Sequence, residues 1–117
     1  ALAIGVGDHI MMMEHSVYSV ISPEGCASIL WGDKGKISQA ADALCLTANE
    51  LLKFKVIDEI IREPLGGAHR NHKQAAIRLK KSLRKNLERL TEIPLNDLVR
   101  LREQKFREMG KVVEEGA

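Results

Sequence analysis

Aromatic side chains are nearly missing: the 117 residues hold one Trp, one Tyr and two Phe. A core built from this chain is therefore expected to be aliphatic, made of Leu, Ile, Val, Ala and Met. Thiols are as scarce. Cys26 and Cys45 are alone and form no C-x-x-C pair, so reduced cysteines are expected and a disulfide scaffold is not. No apolar run approaches the roughly 18 residues that would span a bilayer. No basic region precedes an apolar stretch at the N-terminus, so no signal peptide is expected and the compartment reads as cytoplasmic. The chain does not open on Met, which fits a fragment or a trimmed chain. His9, His15, His69 and His72 lack metal-ligand spacing with cysteines or carboxylates, so no metal is expected. The Gly66-Gly67-Ala68-His69-Arg70 run lacks the G-x-x-x-x-G-K-[ST] pattern, and no ATP site follows from it.

Charge is present but uneven. The formal net charge of +2 covers 5 basic and 9 acidic groups in residues 1–69, 8 and 1 in residues 70–89, and 5 and 6 in residues 90–117. A basic stretch of this kind could meet nucleic acid, phosphates or an acidic partner, or be a solvated helix face. It has no aromatic residue for base stacking and no DNA-binding motif.

The patterning divides at about residue 71. Leu2 to Val6 is a short apolar run, strand or buried helix, followed by a Gly7-Asp8 turn. His9–Met13 and Ser16–Ile21 read as two short strands, a hairpin around Glu14-His15. Ser22 is a plausible N-cap, Pro23 suits the first helical position and Glu24 complements the helix dipole. This predicts a helix to about Trp31, closed by Gly32 and Gly35. A helix over Ile37–Leu46 follows, with Ala40, Ala41, Leu44 and Cys45 toward the core. Thr47 and Glu50 form a capping box for another short helix. Val56–Ile61 reads as a buried strand ended by Pro64 and the Gly66-Gly67 turn. From His72 to Leu90 the stripe Ala76, Leu79, Leu83, Leu87 and Leu90 has helical spacing. Pro94 opens a last helix with Leu95, Leu98, Phe106 and Met109 on one face and Gly110 as its stop. The stripe is expected to pack against that helix through Leu98 and Phe106.

Three blocks stand out in this order: Ala1-Leu2-Ala3-Ile4-Gly5-Val6-Gly7-Asp8, Ser22-Pro23-Glu24-Gly25-Cys26-Ala27-Ser28-Ile29-Leu30-Trp31 and Glu63-Pro64-Leu65-Gly66-Gly67-Ala68-His69-Arg70-Asn71. Together they resemble the carboxyltransferase alpha subunit of bacterial and plastid acetyl-CoA carboxylase, and the resemblance covers nearly the whole chain. It implies an α/β fold: the C-terminal part of a crotonase-like (ClpP/crotonase) β-β-α superhelix over residues 1–71, then a helical extension over residues 72–117. The implied activity is transfer of the carboxyl group from carboxybiotin, borne on a biotin carboxyl carrier protein, to acetyl-CoA, giving malonyl-CoA for fatty acid synthesis. The implied partners are a carboxyltransferase beta subunit of related fold and the carrier protein, in a homo- or hetero-oligomer. The resemblance places zinc on the beta subunit and implies none on this chain. The implied location is the bacterial cytoplasm or plastid stroma, with no membrane.

Such chemistry removes a proton beside a thioester carbonyl and must stabilise the resulting oxyanion with placed N–H donors. In the family a Gly-Gly pair precedes the residue matching Ala1, so the resemblance assigns the Ala1 backbone to the oxyanion turn. Ser22, Pro23, Glu24 and Gly25 resemble the loop-to-helix turn near the acyl and biotin pocket and are substrate-binding candidates. Glu24 is assigned no catalytic role, and Cys26 reads as a small core residue. Read without the resemblance, both places are also explained by ordinary packing and capping. The alternative function is a non-catalytic oligomerisation or nucleic-acid-binding module using the basic helix 72–90.

Overall fold

A computed structural model describes residues 1–110. The order is β1 (Met11–Met13), α1 (Pro23–Trp31), α2 (Ile37–Leu44), α3 (Ala48–Lys53), β2 (Glu59–Ile61), α4 (His72–Thr91) and α5 (Leu95–Glu108). The architecture is mixed α/β in residues 1–71 and helical from residue 72. The helical extension expected to residue 117 can be followed to residue 110, since residues 111–117 lie outside the described ones.

The helix starts follow from local chemistry. Ser22 is extended at φ −73° and ψ 155°, its Oγ accepts the Gly25 amide at 3.2 Å, and Pro23 takes the first helical position. Gly32 ends α1 at φ 63°, the left-handed conformation glycine adopts without a Cβ clash. Glu50 reaches back to accept the Thr47 amide at 3.2 Å and the Thr47 hydroxyl at 2.6 Å, which caps α3. These hydrogen bonds hold the Glu50 carboxyl below its usual range, the Thr47 hydroxyl first.

The expected hairpin does not form. β1 and β2 pair in parallel, with Met11 opposite Glu59, Met12 opposite Ile60 and Met13 opposite Ile61. A parallel pair needs a crossover, and α1, α2 and α3 supply it. Ser16–Ile21 makes one antiparallel bridge, Val17 to Thr47, and no strand. Side chains compete with a ladder there: Ser16 Oγ donates to the Met13 carbonyl at 2.8 Å, and Ser19 Oγ accepts the Ile21 amide at 3.3 Å. The second strand is also shorter than expected. Val56 turns back to donate to the Leu51 carbonyl at 2.9 Å, next to Lys55 at φ 60°, so only Glu59–Ile61 is extended. Leu2–Val6 is neither strand nor buried helix but a run of turns with Leu2, Ile4 and Val6 exposed.

Two small cores result. Ile10, Met12, Ala48, Leu51 and Ile57 close around the strands, with Tyr18, Val56 and Ile60 at the edge. Cys26, Ala27 and Ala40 join α1 to α2, edged by Ile21, Ile37 and Leu44. Cys26 is thus a small buried core residue, and both cysteines are free thiols.

The largest departure is in α4. Its buried residues are Ala75, Ser82 and Asn86, whereas Leu79, Leu83 and Leu87 remain 39, 40 and 59% exposed. The stripe Ala76, Leu79, Leu83, Leu87 therefore does not pack against α5. Among the described residues α4 and α5 meet at their junction, around a small cavity lined by Arg89, Leu90, Ile93, Leu98 and Leu101. The reason lies in Glu59 of β2, which needs donors and finds them on the polar face of α4.

Candidate functional site

Glu59 is the centre of the contact between sheet and helices. The Ser82 hydroxyl donates to its Oε1, Asn86 Nδ2 donates to Oε2 at 2.7 Å, and His9 Nε2 stands 3.3 Å from Oε2. Arg89 Nη2 is 3.2 Å from His9 Nδ1, so the geometry suits a ring that donates at Nε2 and accepts at Nδ1. The Ser82 hydrogen bond is the main cause holding Glu59 well below the usual carboxylate range, at about 2, with Asn86, His9 and Lys85 adding to it and burial opposing. Next to it, Lys105 of α5 donates to Asp58 Oδ2 at 3.0 Å and to the carbonyls of Asp8 and Gly7 at 3.1 and 3.3 Å. All these groups are engaged with one another. They fasten the helices to the sheet, and that is a structural task.

The open end of the sheet is different. In α/β folds ligands tend to bind outside the carboxyl ends of parallel strands. Just past both strands here lies a cleft of ≈ 780 Å³, lined among others by Glu14, His15, Glu63, Gly67, His69 and Arg78. Its rim is built around the third sequence block. Gly66 and Gly67 have φ of 88° and 95°, and the Gly67 amide closes the turn onto the Pro64 carbonyl at 2.9 Å. A side chain at either position would need a left-handed conformation that most residues avoid. Glu63 clasps this turn: it accepts the Ala68 amide at 3.0 Å and the His15 amide at 3.1 Å. Those two amides, Ala68 first, lower the Glu63 pKa. Arg78 Nη1 donates to the Glu63 and Arg62 carbonyls at 2.8 and 3.2 Å, tying α4 to the same turn. The turn presents Leu65, fully exposed, at its tip.

The sequence-predicted residues lie elsewhere. Ser22, Pro23, Glu24 and Gly25 start α1 as expected, but none lines the cleft past the strands or the cavities along α4 and at the α4–α5 junction. Gly25 has a packing reason: a Cβ there would stand 2.9 Å from Ile21 Cγ1. The Gly25 and Cys26 amides are taken by Ser22, and no acceptor stands on the Glu24 amide among the described residues. Ala1 is exposed. Its carbonyl accepts the Tyr18 hydroxyl at 2.6 Å and the Gly5 amide at 2.9 Å. Gly5 is needed at that contact, because a Cβ would stand 2.7 Å from the Tyr18 oxygen. Ala1 and the α1 start thus each keep a structural explanation.

Glu14, Glu63, Arg78 and the Glu59–Ser82–Asn86 group have no site role in the sequence pattern and gain their place only in the fold. One signal for Glu63 was available, a lone acid directly before Pro-Leu-Gly-Gly. Nothing local pointed to Ser82 and Asn86. Among the described residues no group of three or more His, Cys, Asp or Glu is placed to hold a metal ion. No described helix is long and apolar enough to cross a membrane.

A family model described as "Acetyl co-enzyme A carboxylase carboxyltransferase-like" matches residues 1–110. Among similar curated proteins, one from Geobacter metallireducens is 54% identical over 114 residues, 97% of this chain and 36% of its own length. One from Legionella pneumophila is 54% identical over 110 residues, 94% of this chain and 35% of its own. One from Xylella fastidiosa is 56% identical over 110 residues, 94% of this chain and 34% of its own. All three carry the name acetyl-coenzyme A carboxylase carboxyl transferase subunit alpha. The chain spans about a third of the length of these relatives. With sequence blocks, α/β architecture and matched span in agreement, the chain belongs to the acetyl co-enzyme A carboxylase carboxyltransferase-like family.

Proposed function

We propose that this chain is the C-terminal part of a carboxyltransferase alpha subunit, and that the whole protein makes malonyl-CoA. The observation carrying this reading is 54% identity to alpha subunits across 97% of the chain. In the reaction the N–carboxyl bond of carboxybiotin and a C–H bond of the acetyl methyl break. A C–C bond forms, and the proton ends on the biotin nitrogen. The carrier protein delivers carboxybiotin, acetyl-CoA accepts the carboxyl group, and a beta subunit completes the site in a soluble oligomer of the cytoplasm or plastid stroma. Residues 1–71 are the end of a crotonase-like superhelix and residues 72–117 its helical extension. The parallel pair β1–β2, bridged by helices, supports that reading.

In this proposal the chain contributes N–H donors to the thioester oxyanion, near Ala1 and at the start of α1. The Glu24 amide, without an acceptor of its own in the first turn of α1, is the donor the geometry supports best. Ser22 and Pro23 hold that turn, and Gly25 lets Ile21 close beneath it.

The test is reconstitution. The full-length subunit, mixed with a beta subunit, is assayed with carboxybiotin and acetyl-CoA, and malonyl-CoA is measured. The 117-residue chain should give none, while the full-length mixture should turn over. A Ser22→Ala variant of the full-length protein should lose rate, since freeing the Gly25 amide disturbs the turn. No malonyl-CoA from the full-length mixture would end the proposal.

A further inference from the structure

The basic helix α4 turns its polar residues inward and its leucines outward. Ala75, Ser82 and Asn86 are buried, with Arg78 and Arg89 bonded on the same side. Ala76, Leu79, Leu83 and Leu87, spaced by three and four residues, form one exposed strip next to this docked side. At 3.6 residues per turn, Lys73, Lys80 and Arg84 form a row along the outer edge of that strip. Beyond the row a groove of ≈ 430 Å³ is lined by Ile77, Lys80, Lys81, Arg84, Lys85 and Glu88. Among the described residues, Lys73, Lys80 and Lys81 have no carboxylate within ion-pair distance.

We propose that this outer face of α4 is a docking surface for an acidic amphipathic helix of a protein partner. Its apolar side would cover Ala76, Leu79, Leu83 and Leu87, and its carboxylates would meet Lys73, Lys80 and Arg84. Charge complementarity selects this occupant. A second copy of α4 is disfavoured, because pairing the strips brings the two cationic rows together and Glu88 is the one acidic residue in 70–89. Duplex nucleic acid would use the cations but leave the leucines wet. An anionic bilayer favours a broad apolar face with aromatic anchors, and α4 has no aromatic residue. A helix laid along the strip satisfies both the leucines and the lysines, as in helix-in-groove recognition.

The experiment uses the full-length protein that contains this chain and a fluorescent helical peptide of about twenty residues. The peptide has leucines at alternating three and four spacing with glutamates beside them, and a scrambled peptide of the same composition is the control. Anisotropy should show the patterned peptide binding at least about tenfold more tightly than the scrambled one. The double variant Leu79→Ala, Leu83→Ala should lose about tenfold or more, and Lys80→Glu, Arg84→Glu should weaken binding and flatten its salt dependence. The charge variant alters exposed side chains and should melt as the parent does, so it carries the test if the leucine variant melts early. Equal binding of the two peptides would overturn the proposal. So would tighter, leucine-independent binding of random duplex or phosphatidylserine vesicles. A dimer in light scattering that the leucine variant abolishes would overturn it as well.

Discussion

Glu59 ties β2 to two other parts of the chain, because His9 before β1 and Ser82 and Asn86 of α4 converge on its two oxygens. Its carboxyl is stabilised in the ionised form at about 2, first by the Ser82 hydroxyl. A depressed folded value contributes stability above the unfolded value, near 4.3, and that stability is lost as pH falls toward the folded one. The stability difference between the parent and Glu59→Gln should therefore be constant near neutrality and shrink between about pH 4 and pH 2. Denaturant titrations across that range check it, and a constant difference would show that Glu59 is not held by these donors. Gly25 gives a second test. A methyl at 2.9 Å from Ile21 Cγ1 must displace a β-branched side chain. Overpacking costs about 1–3 kcal/mol, against at most about 1 kcal/mol gained from helix propensity. Gly25→Ala should thus lower the denaturant midpoint, with a net loss of about 1 kcal/mol. An unchanged or higher midpoint would leave the close approach without energetic meaning.

At the scale of the element, α4 reverses the usual ranking of its side chains. A fully buried leucine truncated to alanine costs about 2–5 kcal/mol, but Leu83 is 40% exposed and its truncation should cost well below that range. Asn86→Ala removes the donor at 2.7 Å from Glu59 and should cost about 1–3 kcal/mol. Equilibrium unfolding of the two variants should put Asn86→Ala as the more damaging; the opposite order would mean that the stripe, and not the polar face, is docked. This case shows what the sequence made legible. Ser22 over Gly25 and Thr47 with Glu50 were readable because a cap and its amide lie within three residues. The α4 helix was readable from its period, but its docked face was not. Ser82 and Asn86 become core residues only because Glu59, 23 and 27 positions upstream, faces them. The same holds at the cleft, where Glu63 takes the His15 amide across 48 positions. The parallel pairing was hidden too, since alternation marks a strand but not its partner.

For the molecule as a whole, the parallel pairing sets an order of events. The first bond of the sheet region, from the Ile10 amide to Asp58, spans 48 positions, and everything between must be synthesised before β1 can pair with β2. The α1–α2 core, by contrast, draws on Cys26, Ala27 and Ala40, all within a short stretch. Loop-closure entropy makes distant parallel pairing slow relative to local helix packing. On refolding from denaturant, amides of α1 and α2 should therefore gain protection in pulsed hydrogen exchange before those of Asp58 and Glu14, which bond across the sheet to the Ile10 and Ile61 carbonyls. Simultaneous protection would point to a single nucleus spanning both cores. On the ribosome the same delay leaves the β1 edge that β2 will occupy open until β2 emerges, an interval in which this stretch is exposed to wrong pairing and to capture by chaperones.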